Sequence, residues 1–203
     1  MMLALAVGYL IGSLPTADVI GRLRGVDLRT RGTANPGTAN AFRVMGRGAA
    51  VTILLLDLAK GAAAAMFGLG VHGDATGVAA AIAAIAGQVG NPWFGFRGGK
   101  GLGATAGAAL VLWPLGVAVV LPTFALGAVA YRAAVGAIAG VLLFLGLSML
   151  WAAEGWIKAW GIEPDDTLVW FTIGVAVLTL PKFVGDLAGR FTVPNGAAPQ
   201  QSP

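Results

Sequence analysis

Long apolar segments alternate with short polar segments along most of the chain. The apolar segments cover residues 3–23, 48–69, 76–89, 102–113, 114–131, 133–151 and 167–183. A helix that crosses a bilayer needs roughly 20 mostly apolar residues. Pro114 divides the fourth segment from the fifth, because proline favours the first turn of a new helix. The pattern predicts an all-α polytopic membrane protein, a bundle of seven transmembrane helices.

The composition agrees with a chain that lies in lipid. Of 203 residues, 57% are hydrophobic and 11% are charged, and the mean hydropathy is +0.81. Soluble domains carry about 25% charged residues, so this chain has too few charges to cover a water-exposed surface. We expect a single integral membrane domain over residues 1–191 and a disordered C-terminal tail over residues 192–203.

The basic residues are distributed unevenly between the predicted loops. No basic residue precedes the first apolar segment and several arginines follow it, which indicates an uncleaved helix rather than a secretory signal. Seven passes place eleven basic residues on one side and only Lys158 on the other. Those eleven are Arg22, Arg24, Arg29, Arg31, Arg43, Arg47, Arg97, Lys100, Arg132, Lys182 and Arg190. Because basic loops stay in the cytoplasm, the N-terminus is predicted outside and the glycine-rich loops cytoplasmic.

Several kinds of chemistry find no support in the sequence. The chain has no cysteine, which excludes zinc-thiolate, iron-sulfur and disulfide sites. Its one histidine, His72, lies in a predicted external turn, and none of its serines (Ser13, Ser148 and Ser202) shares a membrane face with that turn. A Ser-His-Asp relay needs all three groups within hydrogen-bond reach, so serine nucleophilic chemistry is not supported.

The first polar loop, residues 31–43, has the composition of an anion-binding segment. It reads RGTANPGTANAFR, in which small residues expose backbone N–H groups and Thr and Asn add neutral donors. Arg43 adds a guanidinium that can bind a phosphate through two hydrogen bonds. Successive exposed N–H groups are a common way to hold phosphate.

The second polar loop, residues 95–105, reads GFRGGKGLGAT. Its glycines allow close backbone approach, Arg97 and Lys100 add charge, and the following helix N-terminus also favours an anion. Phe94 stands where a Walker A loop has its first glycine, and Gly101 stands where that loop has its magnesium-binding hydroxyl. The loop is therefore not of the Walker A type. Basic cytoplasmic loops also serve simply as topology determinants or contacts to anionic lipid, and the composition alone leaves both interpretations open.

Asp57 and Lys60 are charged residues inside the second apolar segment. They lie three residues apart, so they share one face of the predicted helix. Counted from Gly48 at ~1.5 Å per residue, Asp57 lies about 14 Å along the helix, within the apolar slab. Charges at such a depth pair with one another or face a polar cavity. The sequence leaves two interpretations of these charges open. They form an internal ion pair that orients the helix, or they have a functional role.

Three elements together resemble the bacterial acyl-phosphate:glycerol-3-phosphate acyltransferase family, PlsY. They are residues 32–40 followed by Arg43, the Asp57-x-x-Lys60-Gly61 sequence, and residues 96–105. The resemblance implies seven transmembrane helices in the bacterial inner or plasma membrane, with an outside N-terminus and cytoplasmic active-site loops. It also implies transfer of an acyl chain from acyl phosphate to the 1-hydroxyl of glycerol 3-phosphate, giving lysophosphatidic acid for phospholipid synthesis. No cofactor or metal is implied.

The resemblance also assigns roles to individual residues. Thr33 stands where the family has serine, and Arg43 and Lys100 match its cationic positions, so these three are candidate catalytic residues. Gln88 aligns with a family histidine and is the fourth, although an amide cannot titrate. Candidate phosphate-binding residues are Asn35, Gly37, Asn40, Arg97, Gly98, Gly99 and Gly101, and Asp57 and Lys60 are expected to support the site. The family's C-terminal His-Arg-x-Asn signature is absent, and residues 181–186 read PKFVGD.

Two alternatives belong to other functional classes. Gln88 and the absent C-terminal signature favour a noncatalytic relative that binds phosphorylated lipid. Asp57 and Lys60, as intramembrane charges, are compatible with a small-anion transporter.

Overall fold

The computed structural model describes residues 1–130, 132–156 and 160–188. Within these residues the chain forms nine α-helices and a short 3-10 helix at Pro92–Phe94. The α-helices are α1 (Met2–Gly12), α2 (Thr16–Leu23), α3 (Thr38–Met45), α4 (Arg47–His72), α5 (Asp74–Val89), α6 (Leu102–Leu112), α7 (Pro114–Ala130), α8 (Ala133–Glu154) and α9 (Asp166–Leu187). The predicted all-helical class is confirmed. The predicted tail, Lys158 and Arg190 lie outside the described residues.

Among the residues that the structure describes, four segments are long and apolar enough to cross a membrane. They are Met2–Leu23, Arg47–His72, Ala133–Glu154 and Asp166–Leu187. Two shorter apolar helical segments, Leu102–Leu112 and Pro114–Gly127, lie between them. Seven passes and an outside N-terminus therefore remain predictions, although each predicted apolar segment is helical over most of its described residues.

The first apolar segment differs from the prediction, since it is not one continuous helix. It breaks after Gly12 and resumes at Thr16. Pro15 lacks the N–H that a continuous helix would use, so carbonyl groups of the preceding turn lose their intrahelical partner. At the break, the Leu14 carbonyl accepts hydrogen bonds from the backbone N–H of Thr16 at 2.9 Å and from Lys60 Nζ at 3.0 Å. The break thus turns the backbone of the first segment toward α4.

Small residues allow α1, α4, α5 and α6 to pack with their backbones close together. A methyl group on Gly12 would collide with the Ala84 carbonyl of α5. A methyl group on Gly107 would likewise collide with the Leu58 carbonyl of α4. Small residues favour close helix packing in membranes. The larger hydrophobic cluster joins α4, α5 and α6 to α8 and α9.

Candidate active site

The first loop is held in shape by the side chain of Asn40. Its Nδ2 donates to the carbonyls of Leu28 at 3.0 Å and Arg31 at 2.9 Å. Its Oδ1 accepts from the backbone N–H of Thr33 at 2.8 Å. Asn40 is 1% exposed. The amide of Asn40 is therefore fully used inside the loop, and this residue shapes the loop rather than offering hydrogen bonds to a ligand.

The second loop is anchored at the end of α5. Asn91 Nδ2 donates to the Ser13 carbonyl at 2.8 Å, beside the break between α1 and α2. The backbone N–H of Gly98 donates to the Val89 carbonyl at 3.0 Å, where a Cβ would collide with the Gln88 carbonyl. Gly101 has φ +82° at the start of α6, a conformation that suits glycine. These contacts bring Lys100 to the N-terminal end of α6.

Arg29 joins α2 to the second loop. Its guanidinium donates to both Asp18 carboxylate oxygens, at 2.6 and 3.0 Å, and to the Arg97 carbonyl at 2.5 Å. It also stacks over Phe94, with Cζ 3.7 Å from the ring centroid. Neither Arg29 nor Asp18 was predicted as a site residue from the sequence. An acidic residue within the first apolar segment, Asp18, was the signal that could have revealed this ion pair, since buried carboxylates are almost always paired.

An ion pair lies below the loops, between α2, α4 and α5. Asp57 Oδ1 is 2.8 Å from Lys60 Nζ and accepts a second hydrogen bond, of 2.7 Å, from Thr16 Oγ1. Asp57 Oδ2 accepts one of 2.8 Å from Gln88 Nε2. Asp57 is 3% and Lys60 6% exposed. The pairing that the three-residue spacing predicts is present, and Gln88 is part of the same network.

A cavity of about 1190 Å³ opens between the two loops and runs along α6, α7, α8 and α9. Its loop end is polar and basic, with Arg43, Arg47, Lys100 and Arg132 in the lining. Its other end is lined by apolar side chains such as Val117, Val141 and Val175. The cavity therefore has one end suited to anions and one suited to a hydrocarbon chain.

Lys100 has a carboxylate partner at the mouth of this cavity. Its Nζ forms an ion pair with Asp186 Oδ2 and lies 5.1 Å from the Phe183 ring centroid. Both partners of the pair are about one quarter exposed. The guanidinium of Arg43, within the described part of the chain, has no ion-pair partner. The Arg43 guanidinium is therefore available to bind an anion, whereas the Lys100 ammonium group already has a carboxylate partner.

Comparison with known proteins identifies the family. A family model described as glycerol-3-phosphate acyltransferase matches residues 2–188. The glycerol-3-phosphate acyltransferase of Halalkalibacterium halodurans is 38% identical over 176 residues, which cover 85% of this chain and 82% of the relative. Glycerol-3-phosphate acyltransferase 2 of Moorella thermoacetica is 44% identical over 115 residues, 56% of this chain and 59% of that relative. The chain belongs to the glycerol-3-phosphate acyltransferase family.

Solved structures of this acyltransferase family share the fold. The crystal structure of PlsY, an integral membrane glycerol 3-phosphate acyltransferase, aligns in its glycerol 3-phosphate form with a TM-score of 0.75. The lysophosphatidic acid form aligns with a TM-score of 0.78. Each alignment covers 94% of this chain and 93% of the other, at 21% identity. The resemblance seen in the sequence motifs is therefore confirmed at the level of family and fold.

The acyltransferase fold brings most of the predicted site residues to one cavity. Those in its lining are Thr33, Asn35, Gly37, Asn40, Arg43, Asp57, Gln88, Gly99, Lys100 and Gly101. Gly98 and Lys60 line a smaller polar pocket behind the second loop, which Gln88 also borders. Arg97 is exposed and lines neither space. Asp186 was not predicted because it lies 86 residues from Lys100, in a segment without a recognisable motif.

Proposed function

We propose that this protein transfers a fatty acyl chain from acyl phosphate to the 1-hydroxyl of glycerol 3-phosphate, giving lysophosphatidic acid. The observation that carries the proposal is the cavity, whose basic end lies between two glycine-rich loops and whose remainder is apolar. Both substrates carry a phosphate, and the donor also carries a hydrocarbon chain. The two ends of the cavity suit these two parts.

Positive charge at the loop end would hold the phosphates. Arg43 can bind a phosphate through two parallel hydrogen bonds, and Lys100 adds a point charge at the start of α6. Thr33, Asn35 and Gly37 line the same end. Holding two substrates in register can supply a large part of a rate enhancement without any covalent step.

The reaction needs no protein nucleophile, because acyl phosphate is already activated. The hydroxyl oxygen of glycerol 3-phosphate bonds to the acyl carbon, the bond from that carbon to the phosphate oxygen breaks, and the proton passes to the departing phosphate. Ser13 and Ser148 donate to the carbonyls of Leu10 and Leu145, and neither lines the cavity. His72 ends α4, about 37 Å along the helix from its start at Arg47.

Asp57 and Gln88 would support the site without transferring a proton. The Asp57 carboxylate already accepts hydrogen bonds from Lys60, Thr16 and Gln88, which compensate its charge. Gln88 borders the cavity with an amide, which does not titrate. We therefore assign the proton to the substrate's phosphate and a positioning role to this network.

We also propose a membrane topology and a cellular location for the protein. The unequal distribution of basic residues supports seven passes, an outside N-terminus and cytoplasmic active-site loops. The bacterial relatives support a location in a bacterial inner or plasma membrane. The family match over residues 2–188 supports a single integral membrane domain over residues 1–191.

A noncatalytic relative that binds phosphorylated lipid is the second candidate. Gln88 favours it, because an amide that cannot titrate borders the cavity where the family resemblance implies a histidine. Nothing comparable favours a small-anion transporter, since the Asp57–Lys60 pair is closed by its own hydrogen bonds.

The test is acyl transfer by the purified protein. Myristoyl or palmitoyl phosphate is supplied with glycerol 3-phosphate, and phosphate release and lysophosphatidic acid are measured together. We expect equal amounts of the two products from the native protein and none from Arg43→Ala. Arg24→Ala is the matched control, because Arg24 is exposed and lies outside the cavity lining. Full activity of Arg43→Ala would refute the site, and a folded but inactive native protein that binds lysophosphatidic acid would favour the second candidate.

A further inference from the structure

Three buried aromatic rings lie together at the apolar end of the cavity. The centroid of the Phe144 ring of α8 is 5.1 Å from that of Trp113 and 6.0 Å from that of Phe171. Trp113 follows the last residue of α6, and Phe171 belongs to α9. Each of the three residues is 4% exposed or less. We call this group, Trp113, Phe144 and Phe171, the aromatic floor.

The cavity ends at the aromatic floor on each of three helices. The last lining residues in this direction are Ala109 on α6, Phe144 on α8 and Val175 on α9. Trp113 comes four residues after Ala109, and Phe171 comes four residues before Val175, so each lies one helical turn beyond the lining. Phe144 is the member of the floor that itself faces the cavity.

The distance from the cavity mouth to the floor can be compared with an acyl chain. Along α8, eleven residues from Ala133 to Phe144 span about 16 Å, and along α9, twelve residues from Leu187 to Val175 span about 18 Å. A staggered hydrocarbon chain with C–C bonds of about 1.5 Å advances roughly 1.3 Å per carbon. The cavity therefore accepts an extended chain of about 14 carbons.

From this geometry, and resting on the proposed function, we propose that Phe144 sets the acyl-chain length that the enzyme accepts. Chains of up to about 14 carbons fit above the ring in extended form. A longer chain must bend within the cavity or displace the floor, and packed interiors resist extra methylene groups. The enzyme then discriminates against donors whose acyl chain is longer than about 14 carbons. Short donors lose little, because lipid tails surround them equally well outside the cavity.

A substitution at Gly140 can reduce the space that is available to the acyl chain. It lines the cavity one turn nearer the mouth than Phe144. A methyl group there would lie 3.3 Å from Val120 Cγ1 and 3.8 Å from Phe124 Cβ of α7. Such a group fits with a small shift of its neighbours and narrows the cavity above the floor. Gly140→Ala is therefore expected to favour shorter chains, whereas Phe144→Ala and Phe144→Leu are expected to favour longer ones.

The experiment is a competition between donors. Acyl phosphates of 10, 12, 14, 16 and 18 carbons are supplied at equal mole fraction in one detergent micelle with glycerol 3-phosphate. Mass spectrometry then gives the chain composition of the lysophosphatidic acid. The product ratios report relative kcat/KM and do not depend on how much of a variant is folded. Phe67→Ala is the matched control, since Phe67 is on α4 and outside the cavity lining.

For the native protein and Phe67→Ala, we expect nearly equal products from donors of 10 to 14 carbons and about tenfold less product from the 18-carbon donor, because overfilling a packed core is costly. Removing the Phe144 ring frees roughly 5 Å, so Phe144→Ala should move this upper limit by about four carbons toward longer chains. Phe144→Leu should move it less, and Gly140→Ala should move it toward shorter chains. A native profile that stays level through 18 carbons, or an unchanged upper limit in the Phe144 variants, would overturn the proposal. Absence of any product from the native protein would instead reject the proposed function.

Discussion

Replacing Lys60 by methionine should destabilise the protein more than any surface substitution. Lys60 Nζ pairs with Asp57 Oδ1 at 2.8 Å and donates to the Leu14 carbonyl at 3.0 Å and to Thr16 Oγ1 at 3.2 Å. Both members of the ion pair are almost fully buried. Lys60→Met keeps the length of the side chain but leaves the Asp57 carboxylate without a cation, and the Leu14 carbonyl keeps only the backbone N–H of Thr16, at 2.9 Å, as a donor.

The magnitude follows from the burial of the pair. Removing one partner of a buried ion pair costs about 3–5 kcal/mol, because the other charge stays buried without compensation. For a domain of this size, 1 kcal/mol corresponds to a shift in Tm of roughly 2–4 °C. We therefore expect the Tm of Lys60→Met to fall by about 10 °C. The double variant Asp57→Asn/Lys60→Met removes both charges and should recover at least half of this loss.

The assay is thermal unfolding in one detergent, followed by tryptophan fluorescence and by the fraction that remains monodisperse after heating. Lys182→Met is the matched control, because Lys182 is a half-buried lysine of α9 that forms no ion pair within the described residues. Its Tm should change by less than about 3 °C, since substitutions away from buried networks have small effects. A Lys60→Met protein as stable as the native one would refute the reasoning, as would a double variant less stable than Lys60→Met.

Three further predictions concern the residues that surround the cavity. Arg29→Ala removes the link between α2 and the second loop and should raise KM for glycerol 3-phosphate by about tenfold, measured by initial rates; an unchanged KM would contradict the link. Asp186→Asn leaves Lys100 with a neutral partner and should lower the inhibition constant of inorganic phosphate by about threefold to tenfold, whereas a higher constant would show that the pair assists binding. Gln88→Leu leaves a carboxylate oxygen of α4 without its donor and should lower Tm by several degrees, while Gln88→His, which can still donate, should restore most of it.

The helices were predictable because apolar residues in lipid must satisfy their backbone hydrogen bonds within the helix. The break at residues 13–15 was not predicted. Hydropathy does not change there, and the sign of a break is the single residue Pro15, which also occurs in continuous but kinked transmembrane helices. The break persists because Lys60, 46 residues away, donates to the Leu14 carbonyl. That partner could not be identified before α4 was placed against the first segment.

The candidate site was predictable to the extent that its residues lie in compact motifs. Arg43 and Lys100 each stand in a glycine-rich loop, and the fold brings both to one cavity. Asp18 and Asp186 contact the site from α2 and from the last turn of α9, with no motif around either. Their partners lie 11 and 86 residues away. Pairings of this kind depend on how helices pack, which a local pattern does not contain.

Within a motif, the pattern also does not distinguish residues that hold the loop from residues that can hold a ligand. Asn40 and Arg43 lie three residues apart on α3, and both line the cavity. The hydrogen bonds of the Asn40 amide go to the backbone of Leu28, Arg31 and Thr33, while the guanidinium of Arg43 is left for an anion. Substitution should therefore separate the two: Asn40→Ala should lower stability together with activity, because the buried Thr33 N–H and two carbonyls lose their partners. Arg43→Ala should remove activity at unchanged Tm, and a loss of stability there as large as that of Asn40→Ala would place Arg43 among the residues that hold the loop.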